Sequence, residues 1–74
     1  MLFALAPDGL EKPVFFEVPL GRTVLDYAVQ MIEDLMRSHE LGEVINLYAV
    51  PKHEDNILLA RYIKDKDEEG YTIF

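Results

Sequence analysis

"VPLGRTVLDYAVQMIEDLM", residues 18–36, passes from the end of an apolar strand into a helix through Gly21-Arg22-Thr23. How those three residues are read decides the fold. A helix N-terminus presents free N–H groups and an adjacent arginine adds positive charge, so an anion could be held there. A phosphate loop wraps its anion with several glycines, and only Gly21 is present. The stretch is therefore read as a turn and a cap. Thr23 suits the N-cap, and Asp26 stands where the acidic member of a capping box would. Leu25, Ala28, Val29, Ile32, Leu35 and Met36 then recur at helical spacing. Val24, Tyr27 and Met31 widen the apolar arc to roughly 200°, more than a one-sided surface helix needs. Gly42 is expected to close the helix, with Arg37 and His39 set against its negative end.

Outward from the helix, the chain reads as strands. "MLFALA" (1–6) is a short apolar run ended by the turn residues Pro7-Asp8-Gly9. "PVFFEV" (13–18) puts Val14, Phe16 and Val18 on one face and Phe15 and Glu17 on the other, with Pro13 at the strand start. The two form a hairpin with a longer loop. After the helix, "INLYAV" (45–50) and "NILLARYI" (56–63) are strand candidates joined by "PKHED". "KDKDEEG" (64–70) reads as solvated loop and "YTIF" (71–74) as a closing strand. The order β-β-α-β-β-β predicts a single α+β domain, residues 1–74, with one helix on one sheet.

"MLFALAPDGLEKPVFFEVPLGRTVLDYAVQMI" resembles the first half of a β-grasp, or ubiquitin-like, domain. The pattern P-x-G…P-x-G-x-T-x-x-D-x-A, carried by Pro7, Gly9, Pro19, Gly21, Thr23, Asp26 and Ala28, is similar to TGS domains of threonyl-tRNA synthetases and some GTPases. "DEEGYTIF" likewise resembles the acidic-Gly turn and apolar strand that end many such domains. The resemblance implies a mixed sheet of four to five strands with one helix on one face. "AVPKHEDN" replaces the V-N-G-type turn of TGS relatives, and no Gly-Gly tail follows Ile73-Phe74. Conjugation and sulfur-carrier chemistry are accordingly not expected. The likeness implies a fold much more than an activity.

Composition narrows the function classes. Half of the 74 residues are apolar, which is a globular composition, and there is no cysteine, which removes disulfides, thiolate metal sites and thiol catalysis. A core this small must be well packed, or a partner subunit must extend it. Fourteen acidic against seven basic residues give a net charge of −7, which disfavours direct nucleic-acid binding and favours a basic protein surface. "MLFALA" is too short for a signal or membrane segment and carries no basic flank, so a cytoplasmic chain with no membrane partner is expected. His39-Glu40 and His53-Glu54-Asp55 lack the i, i+4 spacing of a helical ligand pair, and no metal or cofactor is expected. Glu33-Asp34, Glu54-Asp55 and the acidic run 65–69 lie in polar settings with nothing to separate their pKa values. Ser38 is the one serine and has no triad context, so the chain is not expected to be an enzyme.

The apolar excess points elsewhere. If Met1, Phe3 and Leu5 face the helix, then Leu2, Ala4 and Ala6 face away, with Phe15 beside them. Ile45, Leu47 and Ala49 would point in, leaving Tyr48 and Val50 outside. Contiguous exposed apolar surface commonly marks an interface. Leu2, Ala4, Phe15, Tyr48 and Val50 are the expected partner-binding set, and Tyr27 and Met31 at the helix margin form a second candidate patch. The expectation is a small non-catalytic protein–protein interaction domain that docks a partner with a basic surface, or itself as a homodimer, through the free sheet face. The rival is an acidic inhibitor, phage- or plasmid-encoded, that occupies the nucleic-acid site of a basic enzyme.

Overall fold

The computed structural model describes residues 1–65 and 70–74. In it the chain runs β1 (Leu2–Pro7), β2 (Val14–Glu17), α1 (Val24–Ser38), β3 (Val44–Val50), β4 (Ile57–Lys64) and β5 (Tyr71–Ile73). The acidic run at 65–69 lies, apart from Asp65, outside the described residues.

The segment before α1 turns and caps. Gly21 takes φ +85°, a left-handed conformation that costs glycine nothing, and the Arg22 N–H donates to the Pro19 carbonyl at 3.2 Å. Thr23 is extended (φ −85°, ψ 155°), and its Oγ1 accepts the Asp26 N–H at 3.2 Å, satisfying one of the free donors of the first turn. The Arg22 guanidinium folds back onto its own helix: Nη2 donates to Gln30 Oε1 at 2.8 Å, and its carbon lies 5.3 Å from the Tyr27 ring centre.

At the other end the expectation is corrected. The helix stops at Ser38, and the cap is His39, whose extended backbone (φ −137°, ψ 150°) donates its N–H to the Leu35 carbonyl. Gly42 closes no helix. It is glycine because the chain passes hard against β1 there: an added Cβ would lie 2.5 Å from the Asp8 Cβ and 3.2 Å from its backbone. The Gly42 N–H donates to the Asp8 carbonyl at 2.7 Å, and its own carbonyl accepts the Tyr71 hydroxyl at 2.8 Å. One close approach thus ties the start of β5 to the end of β1.

The sheet order is β2-β1-β3-β4-β5. Every pairing among the described strands is antiparallel, so the expected mixed sheet of the β-grasp type is corrected. The reason is topological. β2 and β3 both run antiparallel to β1, hence parallel to one another, but β1 lies between them and takes both sets of hydrogen bonds. α1 makes the long connection from β2 to β3, while β3, β4 and β5 follow as a meander.

Among the described residues, one face of the sheet is packed against other elements. Leu5, Phe16, Ile45, Leu47, Ala60 and Tyr62 meet Ala28 and Ile32 of α1, with Leu41 closing the cluster from the segment after the helix. Phe16 sits between Phe3 (ring centres 5.8 Å apart) and Tyr27 of α1 (5.7 Å), both stacked. The Tyr62 hydroxyl is buried without a hydrogen-bond partner among the described residues.

Gly42→Ala is expected to destabilise the fold by about 1–3 kcal/mol through overpacking against Asp8, read as a lower urea midpoint at unchanged slope. Burial raises the Tyr62 and Tyr71 hydroxyls above the ordinary value of 10.0. Their contribution is fully present below pH 10 and is lost as pH rises through the higher folded values, because the unfolded chain releases these protons first. Stability against urea is thus expected to fall above about pH 10, and less so in Tyr62→Phe.

Candidate protein-docking face

Alternation carries the chemistry of the second face. Since Phe3, Leu5 and Phe16 belong to the packed side, the residues between them point away from α1. The register then sets them in rows across the sheet. Glu17, Leu2 and Val50 form one row, and Phe15, Ala4, Tyr48 and Leu58 the next. Ala6, Asn46 and Arg61 form a third, with Val44 and Ile63 beyond it.

Phe15 is 54% exposed, and Leu2, Leu58 and Ile63 are also exposed, whereas Tyr48 and Val50 are half-buried. Neither the "PKHED" connection nor the C-terminal residues bury the Phe15 ring. Ala4 lies on this face as expected, yet it is 2% exposed. Its methyl sits between its neighbours Phe15 and Tyr48, so it is the floor of the apolar row and offers little contact of its own. Polar groups frame the row. Arg61 Nε donates to Asn46 Oδ1 at 3.1 Å, and Glu17 stands exposed at the opposite corner.

The second candidate patch, Tyr27 and Met31, is half-buried. Tyr27 and Met31 pack against the core, Tyr27 with one side of its ring on Phe16 and Arg22 over it. Leu25 and Val29 are the exposed apolar residues of the helix instead. They lie two residues before the expected pair, about 200° around the helix, and so on the opposite margin of an apolar arc wider than the surface it covers. Val29 also borders a shallow groove between α1 and the sheet, lined by Ile32, Met36, Tyr62 and Tyr71.

Sequence reasoning assigned no face to the fourth strand. The register shows why: Leu47 pairs with Ala60 but Tyr48 pairs with Leu58, so Leu59 is an extra residue in the ladder. A bulge inside the unbroken apolar run Ile57-Leu58-Leu59-Ala60 destroys the period of two. Leu58 and Arg61 were therefore invisible as members of the face.

Among the described residues, no group of three or more His, Asp or Glu is placed to hold a metal ion. No helix of the described residues is long and apolar enough to cross a membrane. No protein-family model, curated protein or solved structure matches the chain. The geometry of the face is what a functional reading has to rest on.

Adjacent residues give a direct check of the two faces. Phe16→Ser is expected to cost about 3–5 kcal/mol, as for other buried aromatic truncations. Phe15→Ser is expected to cost less than about 1 kcal/mol, the scale of strand preference at an exposed position. Urea unfolding of both variants, followed by circular dichroism, measures the contrast.

Proposed function

We propose that this chain is a small non-catalytic interaction domain that docks a protein, foreign or a second copy, through the sheet face opposite α1. The observation that carries the reading is the exposed Phe15 ring set in a row with Tyr48 and Leu58 on a face that no other element covers among the described residues. An apolar centre rimmed by charge is how stable protein contacts are built: desolvated aromatics supply affinity, and the rim sets orientation. The small core supports the same view. Seventy-four residues without a disulfide gain from apolar surface buried against another chain.

The rival, an acidic chain occupying a nucleic-acid site on a basic enzyme, draws on the net charge of −7. The described carboxylates are spread over the loops, the outer helix surface and β2, so they suit a dense phosphate-like array poorly. Salt separates the two: a charge-driven complex weakens steeply as salt rises, and an apolar one changes little.

A photo-cross-linking residue at position 48, in the cells that encode the chain, is expected to yield a discrete adduct. The same group at Gln30, on the exposed side of α1, should yield none. Loss of the adduct in Phe15→Ser would tie it to this face. No adduct at 48, or equal adducts at both positions, would refute the docking reading.

A further inference from the structure

We infer that the free sheet face is self-complementary and that its occupant is a second copy of this chain, packed face to face with the strands crossed. This rests on the docking reading above and names the partner within it. The observation is the placement of two opposite charges either side of the apolar row; Asp65, which accepts the Thr72 hydroxyl, and Lys52, which borders the edge of Leu2 and Val50, stand further out. Glu17 is on β2, in the row of Leu2 and Val50, and Arg61 is on β4, in the row of Ala6 and Asn46. Both are exposed, and neither belongs to an ion pair among the described residues. Arg61 is held in place by its hydrogen bond to Asn46.

Neighbouring strands lie about 4.8 Å apart, and residues two apart on a strand are separated by about 6.8 Å. Glu17 and Arg61 are three strands and two rows apart, hence about 20 Å on that grid. The midpoint between them falls between Ala4 and Tyr48. That point is also the middle of the apolar row Phe15, Ala4, Tyr48 and Leu58. Opposite charges are thus placed symmetrically about the apolar centre, which is what an isologous contact requires.

A two-fold axis lying in the interface through this point, perpendicular to the line joining the charges, superposes each Glu17 on the partner's Arg61. Because that line runs at about 45° to the strands on the same grid, the two sheets cross at about 90°, one of the two preferred packings of stacked sheets. The operation also matches shapes. Phe15 falls over the partner's Ala6 and Asn46, where the small alanine leaves room for a ring. Leu58 falls between the partner's Leu2 and Val50. The apolar row is buried from both sides, and two ion pairs close its corners.

Sedimentation equilibrium of the purified full chain over the micromolar range tests this. A mass twice that of the chain is expected, shifting to monomer in Phe15→Ser. Glu17→Arg and Arg61→Glu should each weaken the dimer about tenfold or more, because each sets like charges together at both corners. The double variant, Glu17→Arg with Arg61→Glu, should recover most of that loss, with circular dichroism confirming that all variants are folded. A chain monomeric throughout, or a double variant no better than the singles, overturns the inference. The cross-link at position 48 keeps the two levels apart. An adduct of twice the chain mass supports the second copy, while any other mass preserves docking and overturns self-association.

Discussion

The structure turns on which of two consecutive phenylalanines faces the helix. Phe16 is clamped between Phe3 on the neighbouring strand and Tyr27 on α1, at 5.8 and 5.7 Å between ring centres. Side chains alternate along a strand, so this stack forces Phe15 to the other side. A slip of one residue would exchange the rings and turn every side chain of β2 over with them. The aromatic stack therefore sets the hairpin register, the seat of the helix and the greasy surface on the reverse of the sheet. Arg22 reinforces it from outside, lying over Tyr27 and tied to Gln30, so the residue that looked available for an anion braces the helix start.

One helix over five strands leaves an imbalance. The packed side gathers nearly all the fully buried side chains, led by Leu5, Ile45 and Leu47. The reverse side keeps an aromatic and several aliphatics in contact with solvent, and among the described residues Ala4 is its one buried residue. A sheet can face water on one side when that side alternates to polar residues. Here the outward positions of β1 are Leu2, Ala4 and Ala6. Burial against a second surface would resolve the conflict physically. Glu17 and Arg61, at two corners of the apolar row, are of opposite sign.

Much of the layout was legible because it depends on local chemistry. Thr23 caps because its hydroxyl reaches the Asp26 N–H, and such a motif needs no tertiary support. Phe15, Tyr48 and Val50 were placed on the free face by alternation alone, and the pairing agrees. Other features were hidden because they are relations between distant segments. Gly42 resembled a helix stop, and only the approach of Asp8 gives its true reason. Tyr27 and Met31 lay inside an apolar arc whose centre no sequence pattern could locate. It was the position of the sheet under α1 that drew them in and left Leu25 and Val29 outside.

Taken alone, the sequence determined the element order, the cap, and the face to which β1, β2 and β3 turn their side chains, since hydrogen-bonding geometry and a period of two act within a few residues. The tertiary structure alone decided which strands are neighbours, that all run antiparallel, and where β4 breaks step at Leu59. Strand partners are chosen by packing and ladder closure across the whole domain, a choice in which residues far apart in the chain compete for the same edge. That choice brought Leu58 and Arg61 beside Tyr48 and Asn46, completing a face whose members come from four separate strands.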